Sequence, residues 1–167
     1  HGGRTSHPDL IDGANPEAPS AFDWGGTVRG FAGKMDAPVP RELKTEELPR
    51  IVDEFRQGAR RAIDAGVDGV EIHNANGYLL HEFMAPSANK REDEFGGSPE
   101  NRWRLSEMVI RAVAEEIGAD RVGVRFSPAH NVQGVIENDQ EDMLATYGGL
   151  LDALAPLNLA YVSLLHG

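Results

Sequence analysis

Three segments of the chain carry apolar residues at the three- and four-residue spacing of an amphipathic helix. The first covers residues 46–65, the second follows Ser98-Pro99 and ends at Gly118, and the third lies around residues 143–154. This spacing places apolar side chains on one face, so each segment is predicted to be a helix that packs against a core. Ser98 suits the N-cap of the second helix, Pro99 its first position and Gly118 its end.

Short apolar runs alternate with these helices and are predicted to be buried strands. They are Val67 to His73, Arg121 to Ser127 and Leu159 to Leu165. Strands that alternate with helices of this length favour parallel pairing with right-handed crossovers. The pattern therefore predicts an α/β fold with a parallel sheet. By itself it does not distinguish part of a barrel from an open, doubly wound sheet.

The first 45 residues show neither pattern and are rich in glycine and proline. This composition predicts a long loop, and loops of such length in compact domains commonly serve as functional segments such as lids. We therefore divide the chain into a loop or lid-like segment, residues 1–45, and a region of βα units, residues 46–167.

Composition and charge narrow the functional classes. With 167 residues and 40% hydrophobic content the chain suits one globular domain, whereas a complete (β/α) barrel typically needs about 250 residues. A net charge of −11 argues against nucleic acid or an anionic membrane as the main partner. The absence of cysteine excludes disulfides and thiolate catalysis, and we expect a reducing, cytoplasmic environment. No apolar run approaches the length of a membrane span.

Three polar side chains, His73, Asn76 and Tyr78, are grouped where the first predicted strand ends. In α/β barrels this end of a strand is where reactive groups collect. A turn around Gly77 would bring the N–H donors of His73 and Asn76 towards one oxygen, and the tyrosine hydroxyl is a plausible acid. Structural roles also fit the three residues: a core histidine, a turn asparagine and a packed tyrosine.

The sequence around this group resembles the Old Yellow Enzyme family of FMN-dependent ene-reductases. The resemblance covers nearly the whole chain and depends on three runs: His1-Gly2-Gly3-Arg4-Thr5-Ser6-His7-Pro8, Gly69-Val70-Glu71-Ile72-His73-Asn74-Ala75-Asn76-Gly77-Tyr78-Leu79-Leu80, and Asn89-x-Arg91-x-Asp93-x-Phe95-Gly96-Gly97-Ser98-Pro99-Glu100-Asn101-Arg102. It implies part of a parallel (β/α) TIM barrel, with about three strands and three helices after a long N-terminal loop. The predicted strands would be the fourth to sixth of that barrel, so we expect the chain to be its central portion.

The resemblance also implies a function. It implies an oxidoreductase that uses FMN and NAD(P)H to reduce activated C=C bonds, in enones or nitroalkenes, with a small α,β-unsaturated molecule as substrate. His73 and Asn76 would bind the activating group of the substrate, and Tyr78 would be the catalytic acid. Arg125 would bind the cofactor beside the flavin pyrimidine edge. The alternative for Arg125 is an ion pair with Glu71 on the neighbouring strand.

Two other functional classes compete with this interpretation. The chain is alternatively a non-catalytic barrel fragment that does not bind flavin and self-associates through open sheet edges. A metal-dependent hydrolase would use His73, His81 and Glu82, but no second carboxylate–histidine motif accompanies them. We therefore expect no metal site.

Four charged or polar residues of the third run, Arg91, Asp93, Asn101 and Arg102, are predicted to have a structural role. Asp93 and Arg102 carry opposite charges and are expected to pair and fold this loop, while Gly96 and Gly97 supply the turn before the next helix. Arg91 and Asn101 belong to the same group.

Overall fold

The computed structural model describes residues 1–165, so the last two residues of the predicted region 46–167 lie outside the described part of the chain. The α-helices are α1 (Leu48–Asp64), α2 (Leu79–Met84), α3 (Pro99–Ile117) and α4 (Gln140–Leu154). The strands are β1 (Glu17–Ala18), β2 (Thr27–Gly30), β3 (Gly33–Asp36), β4 (Arg41–Glu42), β5 (Val70–Asn74), β6 (Val122–Phe126) and β7 (Tyr161–Leu164). No helix within residues 1–165 is long and apolar enough to cross a membrane.

The main sheet consists of β5, β6 and β7 in that order, and both pairings are parallel. The helices between consecutive strands are the crossovers that parallel pairing requires. This confirms the predicted α/β fold with a parallel sheet. In the register of the sheet, His73 lies beside Arg125, and Arg125 beside Ser163.

The two faces of this sheet differ in character because side chains alternate along each strand. One face carries Ile72, Val124 and Phe126, which are buried in a core that also contains Leu105 and Val109 of α3. The opposite face carries polar side chains at the alternate positions: Glu71, His73, Arg125, Tyr161 and Ser163. The sheet therefore separates a helix-covered core from a polar surface.

The helix ends follow the capping signals in the sequence. The Ser98 hydroxyl accepts a hydrogen bond from Asn101 N at 3.3 Å, and Pro99 occupies the first position of α3. At the other end, Gly118 has a φ of 93°, which favours glycine, and its N–H donates to Ala114 O. The predicted start and end of the second helix are confirmed.

The first 45 residues are largely irregular, as expected, but they also form strands that the sequence did not predict. Strands β2 and β3 make an antiparallel hairpin, and the two-residue strands β1 and β4 pair in parallel. Within the hairpin only Val28 is fully buried. Four-residue strands with one buried position have too little alternation to be distinguished from a loop.

Helix α2 was also missed, because all six of its residues are buried. A helix that is covered on every side has no polar face, so it shows none of the periodicity that marks an amphipathic helix. Its position directly after the His73–Tyr78 segment makes it part of the site described below.

The predicted pairing of Asp93 with Arg102 is wrong. Asp93 instead accepts hydrogen bonds from Arg91 and from the Thr45 hydroxyl, both at 2.5 Å. Arg102 is buried and donates to Met84 O at 2.8 Å and to both carboxylate oxygens of Asp142 at 2.6 Å. Arg102 lies on the first turn of α3, and α3 packs against α4. The Arg102 side chain therefore reaches the first turn of α4, which contains Asp142.

Replacing Arg102 with lysine tests this network. Arg102→Lys should lower the free energy of unfolding by about 2–4 kcal/mol, since a lysine cannot reproduce the planar set of donors and disruption of a buried ion pair is costly. Urea unfolding followed by circular dichroism measures the change. Arg60→Lys is the control, because Arg60 forms an exposed ion pair with Asp64. Equal unfolding midpoints for the two variants would contradict the assignment.

Candidate functional site

The turn between β5 and α2 has an unusual backbone that the sequence accommodates. Asn76 and Gly77 both have positive φ, at 56° and 75°. Asparagine is one of the few residues that tolerate this conformation, and glycine adopts it freely. A Cβ on Gly77 would lie 2.8 Å from the Gln133 Cβ and 2.9 Å from Val132 O, so a glycine is also required by the close approach of the neighbouring loop.

The loop after β6 holds this turn through the backbone of Asn76. Asn76 N donates to the Ser127 hydroxyl at 2.8 Å, and the Gln133 side-chain amide donates to Asn76 O at 2.8 Å. Both polar groups of this peptide backbone are therefore satisfied by side chains more than 50 residues away. The side-chain oxygen of Asn76 is buried and bonded to no described residue, so the side chain is not used to hold the turn.

His73 and Tyr78 lie against each other on either side of this turn. Their ring centroids are 5.3 Å apart, with an angle of 57° between the planes. Burial, followed by the charge of Arg125, lowers the pKa of His73. The ring is therefore neutral at neutral pH and carries one N–H donor. Its Nε2 is buried and has no hydrogen-bond partner within residues 1–165.

The structure places Arg125 in the ion pair that was the alternative to a cofactor contact. Its Nε lies 2.9 Å from Glu71 Oε1, and the Tyr161 hydroxyl donates to Glu71 Oε2 at 3.0 Å. The Arg125 side chain is 40% exposed and shares the polar face of the sheet with its neighbour His73. A cofactor-binding role for Arg125 stays a prediction.

Sequence reasoning overlooked a buried group beneath the turn, formed by Glu82 and the Gly3-Arg4 segment. Glu82 is fully buried, and its Oε1 accepts a hydrogen bond from Arg4 N at 2.9 Å. Gly3 has a φ of 61°, and a Cβ there would overlap the Glu82 carboxylate. The Arg4 guanidinium lies over the Phe22 and Trp24 rings. The His-Gly-Gly-Arg run at the start of the chain was the available signal.

His81 and Glu82, which the metal hypothesis used, have other partners. His81 Nδ1 accepts a hydrogen bond from Gly77 N at 3.0 Å, while Glu82 is bonded to Arg4. No group of three or more histidine, cysteine, aspartate or glutamate side chains within residues 1–165 is arranged to hold a metal ion.

The buried carboxyl of Glu82 should make stability depend on pH. Burial raises its pKa from 4.5 to about 8, against the opposing charge of Arg4. Between these values the carboxyl is protonated in the folded chain and ionised in the unfolded chain, so the free energy of unfolding falls as pH rises. Glu82→Gln stays neutral and keeps an oxygen for Arg4 N, and it should remove this part of the pH dependence.

Urea unfolding at several pH values between 4.5 and 8 measures the effect. Glu46→Gln, at an exposed glutamate, serves as the control and should leave the pH dependence as in the parent. A Glu82→Gln variant with the same pH dependence as the parent would show that Glu82 does not titrate in this range.

The chain resembles solved structures of an Old Yellow Enzyme homologue and of morphinone reductase. The Old Yellow Enzyme homologue from Zymomonas mobilis matches 100% of the chain with a TM-score of 0.93 and 38% identity. Morphinone reductase in complex with tetrahydroNAD matches 98% with a TM-score of 0.86 and 40% identity. The chain covers 46% of each of these proteins. This confirms that the parallel sheet and its helices are part of a TIM barrel of the Old Yellow Enzyme type.

Comparisons of sequence agree with those of structure. The 12-oxophytodienoate reductase 1 of Oryza sativa subsp. japonica is 56% identical over 100 residues, which are 60% of this chain and 26% of that protein. Residues 1–164 match the family described as NADH:flavin oxidoreductase / NADH oxidase. Members of this family bind FMN and use NAD(P)H, as the resemblance implied. The match extends over nearly the whole chain, which therefore belongs to the NADH:flavin oxidoreductase / NADH oxidase family.

Proposed function

We propose that this chain forms the substrate-binding part of an FMN-dependent oxidoreductase that uses NAD(P)H to reduce activated C=C bonds. Enones and nitroalkenes are the proposed substrate class. The observation that carries the proposal is the contact of the His73 and Tyr78 rings, 5.3 Å apart, at the carboxyl end of β5. Family membership and the similarity to morphinone reductase with bound tetrahydroNAD support it.

The residues of the polar sheet face fit a flavin. The Arg125 side chain is 40% exposed, and His73 Nε2 beside it has no partner within residues 1–165. A guanidinium matches an electron-rich ring edge that bears acceptor atoms. We therefore assign cofactor binding to Arg125. When bound, the flavin supplies the two-electron redox chemistry, with NAD(P)H as the source of the electrons.

His73 and Asn76 are the proposed donors to the activating group of the substrate. Reduction of a conjugated alkene increases the negative charge on the carbonyl or nitro oxygen, and hydrogen-bond donors aimed at that oxygen stabilise it. The lowered pKa of His73 leaves a neutral ring that donates through one N–H. The Asn76 backbone is held by Ser127 and Gln133, which leaves its side-chain amide for the substrate.

Tyr78 is the proposed acid. Its ring is half-buried against His73, and it occupies the N-cap of α2, whose first turn fixes its backbone. A tyrosine hydroxyl at this position protonates the carbon next to the activating group, while His73 and Asn76 hold that group in place. The roles of donor and acid are therefore separate and can be tested separately.

Two substitutions distinguish these roles in a complete barrel, obtained by grafting the chain in place of the matching segment of morphinone reductase. Tyr78→Phe removes the proton donor only, so alkene reduction should slow about 10²–10⁴-fold while flavin reduction by NAD(P)H and phenol binding persist. His73→Ala removes a donor to the substrate oxygen, so it should also weaken phenol binding. Stopped-flow kinetics of the two half-reactions and a phenol titration measure these effects.

The unsubstituted graft is the reference for both variants. Enone turnover by Tyr78→Phe at the rate of this reference would show that tyrosine is not the acid. Unchanged phenol affinity in His73→Ala would exclude His73 as the donor.

A second candidate function is self-association of the isolated chain without flavin, and the outer strand β7 favours it. Val162 and Leu164 are 43% and 55% exposed. They lie on the same sheet face as their register partners Val124 and Phe126, which are fully buried. Apolar side chains on the outer strand of an open sheet are a common basis for association between chains.

Sedimentation velocity of the isolated chain, with an FMN titration, separates the two candidates. Association that depends on concentration, together with weak FMN binding, supports the second candidate for the isolated chain. The double variant Val162→Lys/Leu164→Lys should then be monomeric, while the control Leu144→Lys, at a leucine 62% exposed on α4, should not change the association. A monomeric parent chain that binds FMN with submicromolar affinity would contradict this candidate.

A further inference from the structure

A second contact fixes the turn from the side of α2, through a histidine that the proposed reaction does not use. His81 lies in α2, is fully buried, and accepts the Gly77 N–H at its Nδ1, 3.0 Å away. A ring nitrogen that accepts a hydrogen bond carries no proton. The proton of a neutral His81 ring is therefore on Nε2.

The Nε2 atom of His81 faces a buried carboxylate on the loop after β6. It lies 3.3 Å from Glu137 Oε2, although this contact lacks the alignment of a full hydrogen bond, and no other described residue is bonded to it. The Tyr147 hydroxyl donates to Glu137 Oε1 at 3.0 Å, and Ala129 N donates to Oε2 at 3.2 Å. Glu137 is thus held by donors and offers His81 an acceptor.

We propose that Glu137 fixes the tautomer of His81, and that His81 in this tautomer positions Asn76 and Tyr78. Both are positioning residues, and their role in turnover rests on the proposed function. An acceptor at Nε2 favours the Nε2–H tautomer, which leaves Nδ1 free to accept from Gly77, the residue between Asn76 and Tyr78. If the proton moved to Nδ1, two donors would face each other across 3.0 Å.

The surroundings of Glu137 indicate that His81 and Glu137 do more than fill space in the core. The Gly77 backbone is buried, so an apolar residue at position 81 would leave the Gly77 N–H without a partner. Burial, and then the charge of Glu137, raise the pKa of Tyr147, which therefore keeps its proton and remains a donor to the carboxylate. The same loop also supplies Ser127 and Gln133, so it contacts the backbone of the turn directly at two points and His81 at a third.

Long-range ¹⁵N–¹H correlation spectra of the chain, combined with hydrogen exchange at the Gly77 amide, test the assignment. The parent ring should carry its proton on Nε2. Glu137→Gln introduces an amide that can donate, so the ring can adopt the other tautomer, and protection of the Gly77 amide should fall about tenfold, the effect of one hydrogen bond of average strength. The control Asp152→Asn, which removes an exposed charge from α4, should not change this protection.

Two substitutions at position 81 separate the tautomer from the contact. His81→Asn places an oxygen near the position of Nδ1, so it should keep Gly77 protected, and adding Glu137→Gln to it should have no further effect. His81→Gln instead resembles Nε2 and should lose the protection. If Glu137→Gln does not fold, the parent tautomer and this pair of variants decide the question. The proposal would be overturned if the His81 ring of the parent carried its proton on Nδ1. It would also be overturned if Glu137→Gln lowered the protection of the Gly77 amide equally in the parent and in the His81→Asn variant.

The grafted enzyme tests the consequence for turnover. Glu137→Gln should slow alkene reduction about tenfold and leave flavin reduction unchanged, and His81→Asn should make alkene reduction insensitive to Glu137→Gln. The proposed function and the tautomer assignment can fail separately. If the graft reduces no alkene, the proposed function is refuted. The tautomer assignment still stands if the isolated chain shows the Nε2–H tautomer and the expected protection of the Gly77 amide. A Glu137→Gln graft with unchanged alkene reduction would overturn the positioning role itself.

Discussion

The two hydrogen bonds to the backbone of Asn76 are the interaction on which the candidate site depends. The turn contains two consecutive residues with positive φ, and this backbone is less favourable for asparagine than for glycine. Ser127 satisfies the N–H and Gln133 the C=O of Asn76, so the conformation is fixed by the neighbouring βα loop. This support acts on a residue between His73 and Tyr78 and shortly before α2, so it helps to hold both rings and the start of that helix in place.

The N-terminal segment, residues 1–45, depends in a similar way on Arg91, which is buried in the loop before α3. Arg91 donates to Pro19 O at 3.2 Å and to Leu43 O, so it joins the middle and the C-terminal part of this segment to the domain. Ser20 accepts a hydrogen bond from Lys90 N at 2.8 Å. The run from Asn89 to Arg102, one of the three that carry the family resemblance, therefore contributes to the scaffold by holding the N-terminal segment.

Much of the fold was predictable from the sequence because its long helices are amphipathic. Helices α1, α3 and α4 each have one apolar face, and Ser98 and Gly118 mark the ends of α3 through local geometry. Helix α2 is buried on all sides and the hairpin β2–β3 has one buried residue, so neither produces a periodic signal. Periodicity reports on the contrast between the faces of an element, and these elements have little contrast.

The candidate site was predictable only where its members are close in sequence. His73, Asn76 and Tyr78 occupy one short motif, and the structure brings the rings of His73 and Tyr78 together. Their supports lie far along the chain: Ser127 and Gln133 meet Asn76 across 51 and 57 residues. The sequence also left both alternatives open for Arg125, and only the packing of β5 beside β6 shows its pairing with Glu71.

The absent Cβ of Gly77 has a consequence for protein engineering, since it lets the backbone of one loop touch the side chain and carbonyl of the next. The two loops therefore have surfaces that fit each other. When segments are exchanged between homologous barrels, both loops should be moved together, because moving one alone would remove this fit.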